Sequence, residues 1–80
     1  EKGFVFPNPA TSKIEIKNIN LLAEKKYHYF IYNMHGQEVL SGLMFANDKT
    51  INIEKLTSGS YFLSIKNEQQ SIFDSIFLKN

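Results

Sequence analysis

The segment Leu56-Thr57-Ser58-Gly59-Ser60-Tyr61 leads into the alternating run Phe62-Leu63-Ser64-Ile65-Lys66 and decides the fold. In Greek-key β-sandwiches, a tyrosine near the start of the penultimate strand turns its ring into the core, and its hydroxyl bonds to backbone a few residues upstream. Tyr61 suits that role, and Gly59 suits a tight turn that requires a positive φ. Leu56 is expected to close the end of the sandwich. The segment therefore predicts a tyrosine corner in an all-β Greek-key sandwich.

Short apolar runs that alternate with polar residues extend outward from this corner in both directions. Alternation with a period of two is typical of strands that bury one face, as in Lys13-Ile14-Glu15-Ile16-Lys17. No segment has a helical pattern long enough for a βαβ unit, so the strands are expected to be antiparallel. The spacing of the runs predicts about seven strands, at residues 3–6, 13–17, 27–33, 37–42, 50–53, 62–66 and 71–79.

The connecting segments carry turn signals of different strength. Asn33-Met34-His35-Gly36 predicts a hairpin turn, because Asn bonds its own backbone two residues on and Gly accepts a positive φ. Residues 67–70 predict a polar turn. Residues 43–48 are expected to form a loop or a short edge strand, and residues 18–26 an irregular segment with a turn or the edge of a short helix.

Length and composition limit the domain count and the classes of partner. The 80 residues are enough for one domain, 1–80, and the 42% of apolar and aromatic residues are enough for a core. The opening Glu1-Lys2-Gly3-Phe4 has no initiator Met, so we expect the domain to be excised from a longer secreted protein. The net charge is +1 and every basic residue is Lys, which argues against nucleic-acid recognition. The absence of Cys excludes disulfides and thiolate metal sites.

No constellation of residues points to catalysis, a cofactor or a metal ion. His28 and His35 are the only histidines, and they are too few to hold a metal without further ligands at a suitable spacing. The serines lie mostly in turns and lack the Gly-x-Ser-x-Gly elbow of a nucleophile. Carboxylates such as Glu15, Glu54 and Asp74 are separated and are interpreted as solvated faces. We therefore expect no catalytic residue, no cofactor and no metal.

Three blocks of residues resemble one known family in order and spacing. They are Phe4-Val5-Phe6-Pro7-Asn8-Pro9-Ala10-Thr11 with Ile14-Glu15-Ile16, then Tyr32-Asn33-Met34-His35-Gly36-Gln37-Glu38-Val39, then Leu56 to Ile65. Together they resemble the type A C-terminal sorting domains of the type IX secretion system. The resemblance covers nearly the whole chain.

The resemblance implies a fold, a function and a set of signal residues. It implies an immunoglobulin-like sandwich that carries a fused N-terminal passenger through the type IX translocon of Gram-negative Bacteroidetes and is normally removed by a surface sortase. The passenger then becomes secreted or attached to the cell surface after transit through periplasm and outer membrane. The tail departs from the family pattern, because Ile76 stands where a Lys is expected and Asn80 follows Lys79. The implied signal residues are Pro7, Asn8, Pro9, Gly36, Gly59, Tyr61, Phe77, Leu78 and Lys79.

Two further expectations concern partners. The terminal strand is unusually apolar, so we expect it to be a sheet edge whose free N–H and C=O groups a translocon component reads by strand addition. The same edge makes dimers possible. The alternative is a fibronectin- or immunoglobulin-like accessory module that binds protein or carbohydrate for its parent protein.

Overall fold

A computed structural model of the chain describes residues 3–80. The expected domain begins at Glu1, and Glu1 and Lys2 lie outside the described residues. Residues 3–80 form seven strands and no helix. The strands are β1 (Phe4–Phe6), β2 (Lys13–Lys17), β3 (Tyr27–Asn33), β4 (Glu38–Met44), β5 (Thr50–Asn52), β6 (Gly59–Lys66) and β7 (Ser71–Lys79).

The strands form two sheets, and every strand pairing is antiparallel. One sheet has the order β1-β2-β5 and the other the order β4-β3-β6-β7. β3 and β6 are central, whereas β4 and β7 are the edges of the larger sheet. This arrangement confirms the predicted all-β sandwich of seven antiparallel strands.

The core lies between the two sheets and comes from the inward residues of the alternating strands. Ile14 and Ile16 of β2 are fully buried, as their alternation with charged residues predicts. Ile31 of β3, together with Leu63 and Ile65 of β6, covers the facing side of the core. Side chains from all seven strands therefore form one contiguous buried cluster.

The aromatic residues of β3 lie on both faces of the larger sheet. Tyr29 packs against the core, while His28, Phe30 and Tyr32 form a row on the outer face. Adjacent rings in the row have centroids 6.3 Å and 6.5 Å apart. Phe62 of β6 continues the row, with its centroid 6.3 Å from that of Tyr32. The inner face of β3 is thus buried and its outer face is partly shielded by neighbouring rings.

Two strands are longer than their alternation predicts. β4 runs to Met44, because Leu43 and Met44 pair with the first two residues of β3. Gly42 interrupts the apolar pattern of β4, but the ring of Tyr29 occupies the space that a side chain would take there. β6 begins at Gly59, which pairs with Lys79 of β7. Pairing with a neighbouring strand, and not the hydrophobic pattern, sets both ends.

Candidate functional site

The corner before β6 is a tyrosine corner. The hydroxyl of Tyr61 donates a hydrogen bond of 2.7 Å to the carbonyl oxygen of Thr57, four residues upstream. The Tyr61 ring is buried, and Leu56 is buried beside the same end of the core. Gly59 has a φ of 150°, within the region that favours glycine. The predicted roles of Leu56, Gly59 and Tyr61 are confirmed.

The terminal strand β7 packs against this corner. Phe77 is fully buried, and its ring lies 5.8 Å from the Tyr61 ring at an interplanar angle of 26°. The ammonium group of Lys79 donates to the carbonyl oxygen of Leu56 at 3.0 Å. Two of the three signal residues implied in the tail therefore stabilise the corner, Phe77 by its buried ring and Lys79 by a hydrogen bond.

A second set of contacts joins the tail to the segment that follows β1. The side-chain oxygen of Asn8 accepts a hydrogen bond of 2.9 Å from the backbone N–H of Leu78. The N–H of Ala10 donates to the carbonyl oxygen of Leu78, and the N–H of Asn80 donates to the carbonyl oxygen of Ala10, both at 2.8 Å. Ala10 is fully buried. We call these contacts among Asn8, Ala10, Leu78 and Asn80 the terminal clasp.

The terminal clasp closes part of the outer edge of β7. In an antiparallel pair, backbone groups point alternately toward and away from the neighbouring strand. Leu78 directs its N–H and C=O away from β6, toward Asn8 and Ala10. By alternation, the outward groups of Asp74 and Ile76 remain on the open part of this edge. The expectation of a freely accessible terminal edge therefore holds only for a short segment before the clasp.

Apolar side chains remain exposed around the clasp. Pro7 and Pro9 are exposed on the segment after β1. Leu78 is 46% exposed and Ile76 is 57% exposed on the outer face of β7. The backbone at this site is thus fixed by hydrogen bonds, while four apolar side chains face solvent.

Gly36 lies outside the clasp. Its φ of 83° closes the turn between β3 and β4, and its N–H donates to the carbonyl oxygen of Asn33. The side-chain oxygen of Asn33 accepts from the N–H of His35 and of Gln37, as the predicted turn requires. The structure therefore brings eight of the nine implied signal residues to the corner and the clasp, and places Gly36 in a separate turn.

Sequence reasoning missed how these residues are joined. Pro7-Asn8-Pro9 signals a rigid corner, but nothing local shows that the Asn8 side chain bonds to a strand seventy residues away. Ala10 carried no signal, although it provides both backbone bonds of the clasp. The bond from Lys79 to Leu56 was also missed.

The residues that the structure describes, 3–80, form no metal centre. Those residues hold no group of three or more His, Cys, Asp or Glu side chains that would bind a metal ion. Two shallow depressions, of about 370 and 350 Å³, lie at the other end of the sandwich near Leu22, Tyr27 and Asn67. Burial raises the pKa of Tyr29 above its ordinary value of 10.0, but this ring packs over Gly42, away from the clasp. None of the described residues belongs to a helix with the length and hydropathy of a membrane span.

Comparison with known proteins identifies the family. The family model described as "Secretion system C-terminal sorting domain" matches residues 4–79, which include Asn8, Ala10 and Leu78 of the clasp. Among curated proteins, none matches the chain. The family match gives no support to the alternative of an accessory module that binds protein or carbohydrate. The chain therefore belongs to the family of secretion system C-terminal sorting domains, which are the C-terminal sorting signals of type IX secretion.

Proposed function

We propose that the type IX machinery reads this domain in its folded form, at a composite surface made by the terminal clasp and the apolar side chains around it. Family membership implies interaction with that machinery and export to the cell surface or secretion. The domain acts as an address for a passenger fused at its N-terminal side and performs no catalysis. A translocon component recognises the surface, and a surface sortase then separates the domain from its passenger.

The observation that carries this proposal is the hydrogen bonding between Asn8 and Leu78. Pro7, Asn8 and Pro9 are far from the tail in sequence, yet Asn8 bonds directly to the tail backbone. The two segments that the family resemblance marks as signals therefore form one site. A partner that contacts Leu78 also meets the exposed prolines on either side of Asn8.

Burial divides the implied signal residues into two roles. Tyr61 and Phe77 are buried, so they shape the site and do not touch a partner. Pro7, Pro9 and Leu78 are exposed and are available for contact. Ile76 is exposed beside them, so an apolar contact replaces the cationic contact that a Lys would make at that position.

A reporter fusion tests the proposal in a bacterium that has type IX secretion. The chain is fused to the C-terminus of a secreted enzyme, and the fraction of reporter activity outside the cells is measured. Burying a leucine side chain contributes about 1.5–3 kcal/mol, so Leu78→Glu is expected to reduce binding and export by at least about tenfold. Leu22→Glu is the matched control, because Leu22 is also an exposed leucine (57%, against 46% for Leu78) and lies at the other end of the sandwich.

Thermal unfolding of both variants separates recognition from folding. Both leucines are exposed, so both variants are expected to melt close to the unaltered chain. Undiminished export of a folded Leu78→Glu fusion would contradict the proposed surface. Equal loss of export for the Leu22→Glu fusion would show that charge anywhere on the domain blocks export, and would contradict it as well.

A further inference from the structure

The edge strand β4 differs from the other edges of the two sheets. The hydrogen bond from the N–H of Asn33 to the carbonyl oxygen of Gln37 shows that Asn33 directs its N–H toward the β4 side of β3. By alternation, Tyr29 also faces β4, and its partner Gly42 faces back toward β3. Ser41 and Leu43 therefore direct their backbone N–H and C=O groups away from the sheet. Within residues 3–80, no strand pairs with that side of β4.

β4 begins with the charged Glu38 and has a bulge at Val39, but from Leu40 to Met44 it lacks the features that protect sheet edges. Edge strands are usually blunted by charged side chains, by Pro or by short length. The segment Val39-Leu40-Ser41-Gly42-Leu43-Met44-Phe45-Ala46 contains no charged residue and no Pro. Leu43 is 52% exposed, and Val39 and Phe45 are 39% and 49% exposed. The uncharged and partly apolar part of the edge is therefore residues 39–44, between Glu38 and the turn in which the N–H of Asp48 donates to the carbonyl oxygen of Phe45.

The other three edges are protected. β7 carries the exposed carboxylate of Asp74, and the terminal clasp occupies its outward groups at Leu78. β1 and β5 have three residues each. Among the four edges, the middle of β4 offers open backbone groups at both Ser41 and Leu43, with no charged residue between Val39 and Met44.

From this difference we propose that β4 pairs antiparallel with β4 of a second copy of this chain, around a twofold axis at Gly42. In that register Ser41 faces Leu43 of the partner, so that their outward groups exchange backbone hydrogen bonds on both sides of the axis. The pairing joins the two four-stranded sheets into one continuous sheet. It is independent of the surface at the clasp, which lies on the opposite edge of the sheet.

The pairing brings no charged residues together over residues 40–44. Gly42 faces Gly42 of the partner, so no side chains compete for space at the axis. Leu40 lies opposite Met44 of the partner, and Met44 is buried in its own core, so this position places no polar side chain at the pairing. The pairing ends at Leu40 and Met44, because β4 has a bulge at Val39 and gives way to a turn at residues 45–48, so the Glu38 side chains are not brought together. A slip of one residue would place the outward groups of each strand opposite inward groups, which would lose these bonds.

Sedimentation equilibrium of the chain across a concentration series tests the proposal. A species of twice the 9.3 kDa chain mass is expected at the higher concentrations. Leu43→Lys places a charge on the pairing edge and is expected to weaken association by at least about tenfold. Ile76→Lys is the matched control on the opposite edge, because Ile76 is also an outer-face aliphatic residue and is 57% exposed. Ser41→Lys is a second variant at the proposed edge, and circular dichroism verifies that each variant is folded.

Disulfide trapping tests the register directly, because the natural sequence has no Cys. A mixture of Ser41→Cys and Leu43→Cys chains is expected to form a covalent heterodimer under mild oxidation, since these positions face each other in the proposed pairing. A mixture of Asp74→Cys and Ile76→Cys chains is expected to cross-link much less. A monomer at every concentration, association that survives Leu43→Lys, or preferential trapping on β7 would each overturn the proposal.

Discussion

The side chain of Asn8 and the backbone of Leu78 are joined by a hydrogen bond of 2.9 Å, although seventy residues separate them in the chain. The bond lies at the surface, where Asn8 sits between two exposed prolines. It fixes the tail against the segment after β1 and leaves the Leu78 side chain free for contact. Removing the side-chain oxygen therefore takes one of the three hydrogen bonds from the clasp and leaves the two backbone bonds of Ala10 and the core in place.

Asn8→Ala is expected to loosen the tail with a modest loss of stability. A single hydrogen bond contributes about 0.5–1.5 kcal/mol net, and water reaches this site. The amide of Leu78 is expected to exchange with solvent faster, as measured by hydrogen exchange with NMR detection. Asn8→Asp is the control, because its carboxylate also accepts a hydrogen bond. Unchanged exchange at Leu78 in the alanine variant would show that Asn8 does not hold the tail.

Tyr61→Phe is expected to lower the free energy of unfolding by about 1 kcal/mol, because the Thr57 carbonyl oxygen loses its donor while the ring remains in the core. Urea unfolding followed by circular dichroism measures the difference. Tyr32→Phe is the control, since the Tyr32 hydroxyl forms no hydrogen bond within residues 3–80. Equal changes in the free energy of unfolding would show that the Tyr61 hydroxyl stabilises the domain no more than the Tyr32 hydroxyl does.

Phe77→Ala is expected to destabilise the domain by about 3–5 kcal/mol, because it opens a cavity beneath Tyr61. That loss is comparable with the whole stability of a small domain. Ile76→Ala changes the exposed neighbour and is expected to cost less than about 0.5 kcal/mol. Melting temperatures of the two variants, compared with export of their fusions, distinguish loss of the fold from loss of a contact. A stable Phe77→Ala variant would show that this ring does not support the core.

Gly36→Ala is expected to cost about 1–2 kcal/mol, because a Cβ disfavours the φ of 83°. Nothing lies near the position of that Cβ, so crowding adds no cost. Gly36→Asn is expected to cost less, since Asn tolerates the left-handed region. If Gly36 acts only through its turn, the folded Asn variant exports its reporter like the unaltered chain. Loss of export by a stable Asn variant would instead place Gly36 in a contact surface.

Local patterns predicted the parts of the fold that depend on nearby residues. The alternation in β2 predicts its buried face, and Asn33 with Gly36 predicts the hairpin turn, because each signal and its consequence lie within a few residues. The bond from Tyr61 to Thr57 spans four residues and belongs to the same class. These features depend on residues close together in the chain, so they can be predicted without knowing which strands pair.

The clasp and the length of β4 depend on strands that meet only in the folded domain. Whether Asn8 meets Leu78 is decided by the layering of the two sheets, which no local pattern encodes. β4 extends to Met44 because Leu43 and Met44 pair with His28 and Tyr27 of β3, although Gly42 interrupts the apolar pattern before them. The family resemblance marked both segments of the clasp as signals, but the structure was needed to show that they are adjacent.

The span of the terminal clasp along the chain links recognition to biosynthesis. Residues 8 and 10 leave the ribosome long before residues 78 and 80, so the clasp cannot form on a chain that stops short of its tail. It also cannot form on a chain whose sheets have not packed, because Asn8 and Ala10 connect two strands of one sheet, whereas Leu78 lies in β7 of the other. A surface built on this clasp therefore exists only after residues 78–80 have been synthesised and the two sheets have packed together.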